Sequence, residues 1–317
     1  MNPEWLKRYE PLCRTLLDYG WFVAPYLIGQ DFEKVKKLCS ALDNQPPTTA
    51  HQRKTAEGHI DYILSDIAFH PGFRAFFVFR ATELSALKEF SHLYEEAIIC
   101  YYKREYAASV LTLLPALEGV LLSHYGWNFG ADRKPKVSKL IQALREKQLD
   151  GDPQPLQDAF SMYKTVLVDF LERWVYEDTS KADFSLSFLN RHFVLHGMGH
   201  SGFYRPADVH RLILLFDLVV EYLSLIEKRY YALIPDEKLE INLRRTYYSA
   251  LAEGHITIKT AREFERSFLS QHKNHEYFEN EPSWADSQVK GMLDAMETMS
   301  MVAKMKREMD PDSDPNE

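Results

Sequence analysis

The densest group of titratable side chains is the run Asn190-Arg191-His192-Phe193-Val194-Leu195-His196-Gly197-Met198-Gly199-His200, which holds three of the chain's 12 histidines. Three kinds of chemistry fit such a run. His192, His196 and His200 recur every four residues, which on an unbroken helix aligns three imidazoles on one face, as a metal site requires. Gly197 and Gly199 interrupt that helix, however. No glutamate follows His192 as the zinc-protease pattern HExxH needs, and the next carboxylate along the chain is Asp208. A second reading is structural: a histidine near a helix C-terminus is favoured by the dipole and bonds the last carbonyls, with Gly197 as the cap. The third is phosphodiester cleavage. Histidine titrates near neutrality and can remove and return protons. The planar fork of arginine suits a phosphate whose charge grows in the transition state. Breaking RNA then needs a base for the ribose 2′-hydroxyl, a cation for the phosphorane and an acid for the leaving 5′-oxygen.

The elements that must position these groups read as helical. The 317 residues are 45% apolar and 26% charged, with Gly 13 and Pro 15, which argues against disordered, collagenous and turn-rich all-β classes. Trp5, Leu6, Tyr9, Leu12, Cys13, Leu16 and Leu17 follow a helix face, and a second short helix starts at Asp31 and stops by Pro46-Pro47. Residues 48–60, with His51, Gly58 and His59, read as a looser stretch, and His70-Pro71-Gly72 as a turn. One long helical pattern runs from Arg80 to Tyr125, with Pro115 inside it and Gly126 as its cap. Helices are expected over 136–147, 156–177 and 183–197, and over Pro206–Tyr231 with Leu212, Leu215, Phe216, Val219, Tyr222 and Leu225 on one face. Two or three more are expected in 238–270 and 283–308, then an acidic disordered tail from Asp310. The fold class is all-α, in three parts: an N-terminal helical region 1–80, a central helical domain 81–235, and a C-terminal helical extension 236–317.

Charge and cysteines narrow the class. The net charge is −8, distributed as +1 over residues 1–80, −3 over 81–235 and −6 over 236–317. A chain that grips long duplexes is normally basic, so any nucleic acid binds at a local cleft. Cys13, Cys39 and Cys100 form no CxxC pair, which supports neither a disulfide framework nor a cysteine zinc site. The opening MNPEWLKRYEPL lacks a signal peptide's apolar run, and the most apolar stretch, 212–226, is cut by Asp217 and Glu221. A cytoplasmic protein without a membrane segment is expected, with no cofactor and no metal.

Asn190-Arg191-His192-(x3)-His196-Gly197 resembles the arginine–polar–x3–histidine signature of HEPN domains. The context is similar too. Tyr106–Leu122 contains Leu113-Leu114-Pro115-Ala116-Leu117-Glu118-Gly119, like the leucine–proline–glutamate–glycine helix of bacterial members, and Leu212–Leu218 resembles their closing helix. The likeness covers roughly 85–230 well. It extends loosely into 1–84, where Tyr19-Gly-Trp-Phe-Val-Ala-Pro25 looks like the start of some members; beyond Pro235 nothing is recognised.

The resemblance implies a HEPN-like helical bundle with flanking helices and, in many members, a metal-independent endoribonuclease of toxin–antitoxin, abortive-infection or other anti-phage systems. Carried over by position, Arg191 is the phosphate-binding arginine and His196 the catalytic histidine. His192 fills the variable polar position, and Asn190 is either an orienting group or the cap of a turn. Glu118 either faces the site from the neighbouring helix or is a solvated or core-edge carboxylate. Arg191 and His196 are five residues apart and diverge by about 140° on a straight helix. One site therefore needs either unwinding at Gly197 or a second chain, and HEPN ribonucleases are similar in facing two motifs across a homodimer. The expected partners are RNA (tRNA or mRNA), a second copy of the chain, and an antitoxin or defence-system protein. The alternative is a catalytically inactive module that binds RNA or a nucleotide, or an adaptor using the methionines between Met292 and Met305.

Overall fold

The computed structural model describes residues 3–23, 29–128, 133–149, 151–177, 189–195, 204–229 and 238–253. Among them every regular element is helical and no strand occurs, so the fold class is all-α. Residues 1–252 form one compact unit; of the second, 253–317, only Glu253 is described. The helices expected in 283–308 and the acidic tail lie outside the described residues.

The α-helices in chain order are α1 (Pro3–Leu17), α2 (Gly29–Asn44), α3 (Ala50–Ala68), α4 (Pro71–Glu83), α5 (Ser91–Tyr102), α6 (Tyr106–Tyr125), α7 (Val137–Glu146), α8 (Gln154–Phe170), α9 (Arg191–Leu195), α10 (Pro206–Ile226) and α11 (Leu239–Glu253). Helix α1 buries Tyr9, Leu12, Cys13, Leu16 and Leu17 against α8 and α2, following its three-and-four spacing. Helix α6 ends where Gly126 turns left-handed at φ 80° and its N–H reaches the Leu122 and Ser123 carbonyls. Among the described residues α6 alone is long and apolar enough to cross a membrane, but it packs within the unit against α5, α7 and α10.

Three expectations about the elements are corrected. The stretch 48–60 is not loose: from Ala50 on it belongs to α3, where Ala56, Ile60 and Leu64 recur every four residues and are buried. His70-Pro71-Gly72 starts a helix. The His70 ring nitrogen Nδ1 accepts from Gly72 N at 3.3 Å and Pro71 occupies the first turn, where its missing N–H costs nothing. The single pattern from 80 to 125 is three helices. The first break, at Leu84–Phe90, contains a 3₁₀ turn at Lys88–Phe90. The second is at Lys103–Glu105, where Arg104 adopts φ 63° and Glu105 N donates to the Cys100 carbonyl at 2.8 Å. A non-glycine left-handed residue closes α5, so no glycine marks the stop.

Helix α10 is the axis of the unit and packs against α3, α4, α5, α6 and α8. It is buried on all sides from Asp208 to Leu225 except at Glu221, rather than on the single face expected. Its charges are paired inside. Arg74 of α4 donates to Asp217 through Nη1 at 2.9 Å and Nη2 at 2.6 Å, while the Tyr94 hydroxyl adds a bond to Asp217 at 2.6 Å. Arg80 pairs with Glu221 and donates to Ser224 Oγ at 3.0 Å. His210 bridges Asp61 of α3 at 2.6 Å and the Tyr101 hydroxyl of α5 at 2.9 Å. The two acids that cut the apolar stretch in the sequence thus bind α10 to α4.

Candidate phosphate-binding site

The motif arginine enters the fold at the first residue of α9. Asn190, almost wholly buried, sets that entry. Its Oδ1 accepts from His192 N at 3.0 Å and Phe193 N at 3.4 Å, satisfying amides that the short helix leaves open. Its Nδ2 donates to the Glu177 carbonyl at 3.0 Å, which anchors α9 to the end of the preceding helical segment. Asn190 is therefore the cap of the turn, and by capping it fixes where Arg191 begins. On the other side of α9, the Tyr204 hydroxyl donates to the Val194 carbonyl at 3.3 Å, and Val194 is buried.

Arg191 points to α6. Its Nε forms an ion pair with Oε2 of Glu118, a buried carboxylate of α6. The second carboxyl oxygen, Oε1, is paired with Lys134 Nζ, from the segment leading into α7. The Arg191 Nε lacks the alignment of a hydrogen bond, so the guanidinium is not locked in a bidentate fork. Among the described residues its Nη groups are bonded to no acceptor.

A further group follows α8 in the chain. Helix α8 widens into a π-helical turn at Leu171–Val175, a departure that is common at functional sites. Tyr176 follows it, held by its N–H to the Leu171 carbonyl at 2.7 Å. Its hydroxyl is buried and has no hydrogen-bond partner among the described residues. Burial raises its titration above the usual tyrosine range. The Glu118 charge adds to the rise and Arg191 opposes it, which places the phenol in electrostatic reach of both.

His192 is exposed beside Arg191, with its ring edge-on to Phe193 at 6.3 Å between centroids. His196, Gly197 and His200 lie outside the described residues. Among the described residues no three His, Cys, Asp or Glu side chains are grouped to hold a metal. Lys134 and Tyr176 escaped the sequence reading. Lys134 had a signal, since Arg133, Lys134, Lys136 and Lys139 form a short basic run that averaging the charge over 81–235 conceals. Tyr176 had none, because a π turn leaves no mark in the pattern.

Fold and site define an all-α protein with a cationic cluster on a buried carboxylate. Compared with known proteins, the chain matches no family model, no curated protein and no solved structure.

Proposed function

We propose that this chain is an endoribonuclease of the HEPN type, working without a metal in phage defence or in a stress or toxin response. The observation that supports the reading is the contact between two segments that resemble HEPN domains independently: Glu118 of the leucine–proline–glutamate–glycine helix sits against Arg191 of the Arg–His motif. In this reading His196 withdraws the proton of the ribose 2′-hydroxyl or returns one to the 5′-oxygen, and Arg191 holds the phosphorane while its charge grows. Two copies meet at a two-fold axis, so that two arginines and two histidines surround one phosphorus without any further residue. The cations are then concentrated in the cleft, which draws an anion in despite the net charge of −8.

The test is incubation of the full-length protein with total RNA and with tRNA in EDTA, beside Arg191→Ala and His196→Ala. Wild-type protein cleaves and both variants lose activity by at least about a hundredfold, the usual scale for acid–base and electrostatic groups. Equal cleavage by all three, or cleavage only after a divalent metal is restored, contradicts the reading. RNA bound without turnover, and insensitive to Arg191→Ala, supports a binding module instead.

A further inference from the structure

Two cations converge on one carboxyl group. Arg191 Nε rests on Glu118 Oε2 and Lys134 Nζ on Oε1. The Glu118 side chain is 8% exposed, that of Arg191 28% and that of Lys134 51%, so the negative charge lies inside and the positive charges open outward. One carboxylate cannot neutralise both, and the cluster keeps a surplus positive charge on its solvent side. Arg133 and Lys136, both exposed, flank Lys134 and extend that sign along the chain.

Glu118 cannot retreat to make room for a ligand. It is built into α6 between the buried Leu117 and Val120, and a buried carboxylate stripped of its cations is costly. An incoming anion therefore adds from outside rather than displacing it. The two cations are spaced by two oxygens carried on a single atom, and the non-bridging oxygens of a phosphodiester have the same arrangement about phosphorus.

We infer that Lys134 is a second phosphate-binding residue, forming with Arg191 a two-cation clamp on an RNA phosphodiester, and that Glu118 is the positioning carboxylate that aims both. This inference rests on the ribonuclease reading and assigns it a residue that the Arg–His motif does not contain. Lys134 holds the same phosphodiester as Arg191 and takes no part in proton transfer, so its loss weakens binding and lowers kcat/KM with it.

The experiment uses full-length protein in EDTA and a fluorescein-labelled single-stranded RNA that is 2′-O-methylated to prevent cleavage, with Kd read by anisotropy over a KCl series. Lys134→Ala raises Kd about fivefold to tenfold and flattens the dependence of log K on log salt by about 0.7, the share of one phosphate contact on a single strand. Lys134→Arg restores both, and on cleavable RNA kcat/KM for Lys134→Ala falls by at least the factor by which Kd rises. Glu118→Gln raises Kd with an unchanged salt slope, because both cations remain but are no longer aimed; tighter binding would show that the carboxylate competes with RNA and would overturn its positioning role. A Kd and slope unchanged in Lys134→Ala but weakened in Arg191→Ala overturn the clamp and leave the ribonuclease reading standing. Binding unchanged in both variants, or absent in the wild type, overturns both.

Discussion

At the scale of single residues, Asn190 makes a sharp prediction because the two ends of its amide do different work. Oδ1 caps α9 and Nδ2 holds the Glu177 carbonyl. Asn190→Ala removes both and costs about 1 kcal/mol, the usual loss of an N-cap. Asn190→Asp keeps the cap but sets a carboxylate against a carbonyl. Both variants are expected to lower RNA cleavage by a larger factor than their urea midpoints imply, since Arg191 starts from this cap; cleavage that tracks stability alone contradicts the positioning. His124 carries a second prediction. It packs edge-on to Tyr222 with centroids 5.6 Å apart, and burial, helped by Lys147, lowers its titration below the ordinary 6.5. The unfolded chain thus takes up a proton before the folded one. This contribution to stability is complete above about pH 6.5 and is lost as the pH falls through that value. Urea midpoints at about pH 7.5 and pH 5.5 should fall less on acidification in His124→Gln than in wild type, and an equal fall contradicts the sign. Of the candidate residues, Asn190, Arg191 and His192 stood out in the sequence as a dense run of polar and titratable types, and Glu118 through the resemblance of its helix. Lys134 and Tyr176 did not, because only the fold brings them to the carboxylate.

At the scale of elements, the sequence pattern located most helices and failed where a charge is internal or a stop lacks glycine. Asp217 and Glu221 read only as cuts in an apolar run, and they sit on α10, paired with Arg74 and Arg80. A buried ion pair cannot be told from an exposed charge until its partner is known, and Arg74 lies 143 residues earlier. The pair makes its own prediction. Arg74→Met leaves Asp217 and the Tyr94 hydroxyl in the core without the cation and is expected to cost about 3–5 kcal/mol in urea unfolding. Arg74→Met combined with Asp217→Leu removes both charges and is expected to recover much of that loss. A double variant as unstable as the single one contradicts the account. Helix α6 contributes differently to the site. A Cβ on Gly119 would lie 2.6 Å from Phe90 Cζ, so the glycine lets the 3₁₀ turn before α5 close on α6 next to Glu118. There the glutamate–glycine pair of the motif has a packing reason beside its chemical one.

At the scale of the whole molecule, net charge and local charge point in opposite directions. The chain carries −8, while Arg191, Lys134 and the flanking basic residues gather at the outer side of one carboxylate. A net acidic chain discourages indiscriminate binding to nucleic acid, while a local cationic cluster provides a point of capture. The three cysteines stand apart from this chemistry. Cys13, Cys39 and Cys100 are buried, and burial pushes each thiol up to about 12, which keeps them unreactive. The all-α class was legible from composition and periodicity alone, because sparse glycine and three-and-four spacing leave few other folds.

In the proposed reaction Arg191 and His196 direct attack by the ribose 2′-hydroxyl on the neighbouring phosphate. The chemistry of the product ends tests it most directly. Full-length protein in EDTA is given a labelled RNA and the same sequence with every 2′-hydroxyl methylated, and the products are read by mass spectrometry. The RNA is expected to give fragments ending in 2′,3′-cyclic phosphate and 5′-hydroxyl, and the methylated strand none. Cleavage of both strands, or fragments ending in 3′-hydroxyl and 5′-phosphate, would contradict it.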